Sequence, residues 1–517
     1  MTITQKHLIK NAARYFAQKT AIVCGDRKLT FSEVDSRANR LANALANLGL
    51  KPGARVATVM QNCLEYVETN FGLIKGGFPQ ITLNPRLTTE DLLFQLNDSE
   101  AEALIFQDHY AELINPIKDK LITVRHFVCL GSKEAGTLDY DTFIDGASSA
   151  EPEFVLNLDD LGELRYTSGT TGSPKGIMLP YRSWLAVTRN LLLDQIPDIT
   201  SADNFLALQP LYHGAGWRIL AVWVRGATHF ITADFDAENA VNIIEKNKIT
   251  VVKTVPTVLG RILDFPDISK RNLKSLKTLI YGASPMPVER LKQALDMFGP
   301  ILVQGYGQTE APVTLCVLNK ADHLTYNDPV RERRLGSVGR PYTMVQIRII
   351  NEKGQDVKPG ELGEVIVCGD HMMTGYLNRP DATADRIRNG WLYTADLATV
   401  DEAGYIFLSG GRKSDMIITG GLNVFPNEVE QILYEHPAVA EAAVIGVPDT
   451  DWGESITACI KLKDGKTATD TEIISFCKER LASYKKPRSV VFLNDLPKNA
   501  AGKILHRELR EKYSKKS

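Results

Sequence analysis

The chain has 517 residues, too many for one hydrophobic core; at roughly 150 residues per domain it asks for about three domains or subdomains. Its 60 Lys+Arg against 62 Asp+Glu leave a net charge of −2, without the basic excess of a nucleic-acid binder or the acidic tail of a disordered segment. Seven cysteines, scattered and never in C-x-x-C spacing, argue against a disulfide framework and a zinc cluster and suit a reducing cytosol. The opening MTITQKHLIKNAARYFAQ has no apolar signal region, and no run of about 18 apolar residues follows. A cytoplasmic protein with no transmembrane segment and no nucleic-acid partner is therefore expected. Loose membrane association and the oligomeric state stay open.

The first three hundred or so residues alternate strand and helix signals. Ala21-Ile22-Val23-Cys24 is a short apolar run ended by the turn at Gly25-Asp26. Thr30-Phe31-Ser32-Glu33 has the T-x-x-E form of a capping box. Val34, Ala38, Leu41, Ala42, Leu45 and Leu48 then recur at helical spacing up to Gly49. Buried strands are predicted at Arg55–Met60, Ala103–Phe106, Phe127–Leu130, Phe205–Leu208, Thr250–Val255 and Thr278–Tyr281. Strands alternating with helices imply mostly parallel sheets covered by helices.

The texture changes after about Gly336. Short alternating strands such as Val345–Ile350 and Glu364–Cys368, separated by Gly, Pro, Asn and Asp turns, predict a small antiparallel barrel or sheet. A second shift follows Gly410-Gly411. Beyond it the pattern reads helix (Pro426–Tyr434), strand (Val439–Val447), strand (Ser455–Leu462), helix (Thr471–Leu481) and strand (Arg488–Leu493), a compact α+β module behind a hinge.

Tyr166 to Gly176 reads YTSGTTGSPKG, a loop dense in glycine and hydroxyl groups. Its backbone N–H groups and hydroxyls suit phosphate oxygens, and Lys175 adds positive charge. It lacks the G-x-x-x-x-G-K-[ST] order of a Walker A loop, which excludes a P-loop ATPase.

This loop resembles the signature of the adenylate-forming (AMP-binding) superfamily, which includes acyl-CoA synthetases, luciferases and the adenylation domains of peptide synthetases. Further motifs similar to that family's follow in order: YGASP at 281–285, QGYGQTE at 304–310, GSVGRP at 336–341, GELGE at 360–364, WLYTADL at 391–397, GRKSD at 411–415 and PKNAAGKIL at 497–505. Any one is weak; the ordered set, from about Phe31 to Leu509, is specific. The resemblance implies a large N-terminal domain of stacked α/β subdomains plus a small β-barrel, residues 1–411. A mobile, smaller α+β C-terminal domain, residues 412–517, would follow. The implied enzyme is an acid–thiol ligase of the AMP-forming, acyl-CoA synthetase type. It uses ATP, Mg²⁺ and coenzyme A to form an acyl-adenylate and then a thioester.

The resemblance also implies roles for particular residues. Two anions must meet in the first step, so cations have to offset the charge as it builds. Glu310 matches the magnesium-binding glutamate, a hard oxygen ligand, and Thr309 matches a contact to the α-phosphate. Thr167, Ser168, Gly169, Thr170, Thr171, Gly172 and Lys175 would wrap the phosphates. Ala283, Ser284, Gly305, Tyr306, Gly307 and Gln308 would receive the nucleotide, with Tyr306 against adenine. Asp396 matches the acceptor of both ribose hydroxyls. Arg412 matches a ribose or phosphate contact. Lys503, in the C-terminal motif, is expected to reach the carboxylate and the α-phosphate together.

Two departures from the family pattern stand out. Ala395 replaces a usual Gly beside Asp396, and Ser414 stands where the hinge pivot is commonly Asp or Lys. Hinges need no single residue type, so rotation of the C-terminal domain is still expected. Gly420 and Gly421 would leave room along the thiol channel. For the acyl pocket, His213, Trp217, Ala283, Gly305 and Val313 are the candidates. His213 either gates the pocket or is a packed aromatic; Trp217 either limits it or is buried elsewhere. No charged residue near 281–284 awaits a polar tail, so an apolar acid, either a medium/long-chain fatty acid or an aromatic acid, is expected rather than an amino acid. The alternative acceptor is the phosphopantetheine of a separate carrier protein. A catalytically silent nucleotide sensor is disfavoured by the intact Thr309, Glu310, Asp396, Arg412 and Lys503.

Overall fold

The computed structural model describes residues 3–131, 136–167, 174–412, 416–419, 422–450, 452–499 and 503–514, with only the backbone at Thr167, Arg412 and Asn423. The capping box is formed. Glu33 N donates to Thr30 Oγ1 at 3.3 Å, while Thr30 N at 2.7 Å and Thr30 Oγ1 at 2.8 Å donate to Glu33 Oε2 and hold that carboxyl below the usual range. The helix it starts, Phe31–Asn47, packs against a second, Leu64–Gly76, whose residues are all buried. Gly72 permits the approach: a Cβ there would lie 2.9 Å from the Ala38 carbonyl oxygen.

A helix buried on every side must pair any charge it carries. Lys75 is bound by Asp35 at 2.6 Å and Glu151 at 2.9 Å, and Glu68 by Arg37 at 2.6 Å. Removing one partner from such a pair would strand a buried charge and destabilise the chain by about 3–5 kcal/mol.

Two large sheets flank these helices. One has eight strands, in the order Gly375–Tyr376, Lys175–Pro180, Leu161–Thr167, Gln80–Leu83, Val56–Val59, Ala103–Gln107, His126–Leu130 and Leu138–Asp139. Its last six strands run parallel and its first two pair antiparallel. The other has nine strands, with a parallel centre of Leu302–Tyr306, Thr278–Gly282, Val251–Lys253, Asn204–Ala207 and Thr228–Ile231. Its far edge is the N-terminal hairpin, in which Ile22 pairs with His229 across two hundred residues. The parallel centres follow from the strand–helix alternation. Some antiparallel edge pairings are local hairpins, such as Leu161–Thr167 with Lys175–Pro180, but Gly375–Tyr376 joins its edge from two hundred residues away.

The third sheet is antiparallel and has five strands, Gln346–Ile350, Gly363–Cys368, Trp391–Val400, Ile387–Arg388 and Ile406–Arg412. This open half-barrel is the small β element expected after Gly336. The last sheet pairs Val439–Asp449 with Gly453–Leu462 and is backed by the helices Pro426–Glu435 and Asp470–Arg480. Its hydrophobic clusters draw only on residues from Ile417 onward. No helix among the described residues is long and apolar enough to cross a membrane.

Candidate active site

The parallel strands of the nine-stranded sheet end in a common crevice, the usual place for a ligand in an open α/β sheet. It opens into a cavity of about 1500 Å³. The strand Thr278–Gly282 delivers Ala283 and Ser284 to its wall, and Leu302–Tyr306 delivers Gly305 through Glu310. Behind Asn204–Ala207, the segment after Pro210 delivers His213 and Trp217. Asp396 comes from the half-barrel, and Lys503 from the C-terminal module.

Close backbone packing shapes this wall. Gly282 has φ 151°, and a Cβ on it would stand 2.2 Å from the Gly305 carbonyl oxygen. Ala283 (φ 73°) and Val313 (φ 48°) both adopt left-handed backbone, and the Val313 backbone lies 2.5 Å from where a Gly307 Cβ would be. Non-glycine residues held there carry strain of about 1–2 kcal/mol each, of the kind that clusters at ligand sites.

Glu310 is buried, and its two carboxylate oxygens differ. Oε1 accepts from the Tyr376 hydroxyl at 2.9 Å, while Oε2 is buried with no hydrogen-bond partner among the described residues. An unsatisfied carboxylate oxygen is costly and suits a cation. No cluster of three or more metal-binding side chains exists among the described residues. The open Glu310 oxygen suits Mg²⁺, which is commonly held by one or two carboxylates together with substrate phosphates and water. The same Tyr376 ring lies 5.3 Å from Lys175 Nζ, at the end of the signature loop. Tyr376 escapes a sequence reading because its partner is 66 positions away.

Asp396 is held from two directions. The Tyr306 hydroxyl and Gln308 Nε2 both donate to its Oδ2, the latter at 2.6 Å, and its own backbone N–H donates to Thr394 Oγ1 at 3.1 Å. Burial, with Asp396 alongside, pushes the Tyr306 phenol well above its ordinary value, so it stays a donor. Ala395 has φ 60°, which explains why a glycine would suit that position.

His213 and Trp217 turn out to be both packed and cavity-lining. Trp217 is buried against Trp184, ring centroids 4.4 Å apart, with the Arg165 guanidinium 5.1 Å from its ring. His213 Nε2 is buried without a hydrogen-bond partner among the described residues. Burial, reinforced by the charges of Arg165 and Arg86, pushes the imidazole down to about 4, so it is neutral at pH 7. Arg165 is a further residue that the sequence left unmarked. It sits on the strand leading into the signature loop, pairs with Glu163 at 2.8 Å and donates to the Tyr212 carbonyl at 3.0 Å, fixing the turn that carries His213.

Lys503 contrasts with all of these. Its side chain is exposed, and a local turn holds its backbone: its N–H donates to Asn499 Oδ1 at 2.9 Å and its carbonyl accepts from Asn499 N at 2.8 Å. The cavity thus joins Ala283, Ser284, Gly305 through Glu310, Val313, His213, Trp217, Asp396 and Lys503. Lys175 lies outside its lining and connects to it through Tyr376, which donates to the lining Glu310. At Thr167 and Arg412 only the backbone is described, and Arg412 pairs with Asp396 across the half-barrel strands. Ser168, Gly169, Thr170, Thr171, Gly172, Ser414, Gly420 and Gly421 lie outside the described residues.

Comparison with known proteins agrees with this architecture. Residues 9–377 match the AMP-binding enzyme family, and residues 428–503 match the AMP-binding enzyme C-terminal domain. A feruloyl-CoA synthase of an Amycolatopsis species is 37% identical over 504 residues, covering 97% of each chain. A long-chain-fatty-acid–CoA ligase of Bacillus subtilis is 34% identical, covering 98% of this chain and 94% of that one. The crystal structure of an anthranilate CoA ligase in complex with anthranoyl-AMP superposes with a TM-score of 0.91 at 28% identity, over 99% of this chain and 98% of that one. The chain belongs to the AMP-binding enzyme family, among its AMP-forming acid–CoA ligases.

Proposed function

We propose that the chain activates an apolar or aromatic carboxylic acid with ATP and transfers the acyl group to coenzyme A. In the first step a carboxylate oxygen attacks the α-phosphorus, and the bond to pyrophosphate breaks. In the second, the thiol sulfur attacks the acyl carbon and AMP leaves. The observation that carries this reading is the single cavity onto which Glu310, Asp396, His213 and Lys503 all open.

Glu310 would hold Mg²⁺ through its unpartnered Oε2, and the ion supplies charge neutralisation at the phosphates when bound. Thr309 would contact the α-phosphate, and Lys175 with the loop 167–172 the outer phosphates. Asp396, pre-positioned by Tyr306 and Gln308, would accept the ribose hydroxyls, with Arg412 beside it in the sheet. Lys503 would donate to the carboxylate and the α-phosphate, where a preorganised donor is worth about 10²–10³ in rate. The neutral His213, with Trp217, would wall the acyl site.

Lys503 and a pantetheine arm cannot occupy the same volume, so the unit from residue 412 onward would turn between steps, pivoting near Ser414 and presenting Gly420 and Gly421 to the thiol. The relatives' names as CoA ligases support coenzyme A over a carrier protein as acceptor. The test is pyrophosphate release from ATP and Mg²⁺ across a panel of acids, with and without coenzyme A. Release that turns over only with coenzyme A supports the reading. Adenylation that coenzyme A never accelerates contradicts it.

A further inference from the structure

Behind the acid side of the cavity lies a buried group of hydrogen-bond donors that no step above uses. Arg218 is buried, yet it has no carboxylate partner among the described residues. Its Nε and Nη2 donate to Gln195 Oε1 at 3.1 and 2.8 Å, and its Nη1 donates to the Gly214 carbonyl at 2.6 Å. Gln195 in turn donates through Nε2 to the Tyr342 hydroxyl at 2.8 Å. Lys253 is also buried and is spent on the neighbouring Thr254 carbonyl.

The cluster holds more donors than acceptors. A guanidinium has more N–H groups than the bonds made here use, the Tyr342 hydroxyl keeps a hydrogen to give, and Lys253 has N–H groups besides the one given to Thr254. Burial lowers Arg218 to about 10, so it remains charged at neutral pH, while burial and Arg218 together push Lys253 well below its ordinary value. A buried positive charge without an anion is expensive.

Its position suggests what is missing. Gly214 and Gly305 both line the cavity, and Arg218 hangs on the carbonyl of the first. Gln195 Nε2 stands 2.6 Å from where a Cβ on Gly305 would be, and Tyr342 Oη stands 3.5 Å away. The cavity is thus parted from the donors by residues that have no side chain.

We propose that Arg218, Gln195 and Tyr342, which lie just behind the cavity wall at Gly214 and Gly305, become the far end of the acid pocket when the acid binds, and that the acid carries an accepting oxygen, a carbonyl or a carboxylate, at the end remote from the reacting carboxyl. This rests on reading the cavity as an acid-activating site. A plain alkyl tail would offer no acceptor to the N–H and O–H hydrogens that these bonds leave unused. The pocket therefore selects its acid by the tail.

The test uses the full chain and acids matched in skeleton, with a distal carbonyl, a distal carboxylate or neither, followed by pyrophosphate release. The wild-type enzyme is expected to prefer an oxygenated acid by about 10- to 100-fold in kcat/KM, the range for a hydrogen bond to a charged group. Whichever oxygenated acid leads shows whether the tail is neutral or anionic. Arg218→Met should shrink that preference to within about threefold, mainly through KM, and Arg218→Lys should restore part of it. Activation of many acids with indifference to the distal oxygen overturns this proposal alone. No activation of any acid overturns it together with the ligase reading. The wild-type comparison decides the matter even where Arg218→Met fails to fold.

Discussion

The wall of the cavity built by the first domain and the lysine brought by the last are made by opposite means. Glu310 is buried, tied to Tyr376 and left with one open oxygen, while Asp396 is clamped by Tyr306 and Gln308. Lys503 is exposed and is held by a turn of its own backbone, in a module with separate hydrophobic clusters. The fixed side can be preorganised because nothing there needs to leave. In the two-step scheme proposed above the lysine withdraws for the second step, and a deep set of contacts would work against that.

That contrast can be broken from the fixed side first. Glu310→Gln keeps the shape but removes the charge beside the open oxygen. Adenylation should fall by about 10²–10³ in kcat, with a raised Mg²⁺ requirement in a titration of the rate. Tyr376→Phe removes one hydrogen bond to that carboxylate and should cost about tenfold, again most visibly at limiting Mg²⁺. An unchanged Mg²⁺ dependence in both would separate Glu310 from the metal.

The buried side should also show in the pH dependence of stability. Burial lowers His213, His323 and His371 to about 4 and His229 to about 3 in the folded chain, from an unfolded value of 6.5. Between those values the unfolded chain binds protons that the folded chain does not. Stability should thus rise with pH from about 4 to 6.5 and be flat, as far as these groups go, above 6.5. Melting temperatures across that range check it; a flat profile contradicts the burial of these rings. The smallest effect is at Ala395. Glycine would release left-handed strain of about 1–2 kcal/mol and cost about 0.5–1 kcal/mol in chain entropy. Ala395→Gly should therefore raise Tm by about 1 °C in a thermal scan, with activity retained.

What could be read from the sequence was what is local or ordered along the chain. The Thr30–Glu33 cap, the strand at 103–107 and the 426–435 helix fall within a residue or so of their expected places, because capping, periodicity and turn residues leave their marks in place. Glu310, Asp396 and Lys503 could be named because their motifs are contiguous. The pairing of the N-terminal hairpin with 228–231 could not, since a parallel partner two hundred residues away leaves no local sign. Tyr376, Arg165 and Arg218 were missed for the same reason: each acts through a partner that only the fold brings near. The left-handed backbone at Ala283, Val313 and Ala395 was hidden because none of them is a glycine.

The most direct test of a fixed wall served by a removable lysine is to measure both half-reactions of Lys503→Ala. Pyrophosphate release from acid and ATP should fall by about 10²–10³ or more, while conversion of supplied acyl-AMP to acyl-CoA should proceed near the wild-type rate. Equal loss in both steps would contradict the account, because Lys503 would then belong to one fixed site.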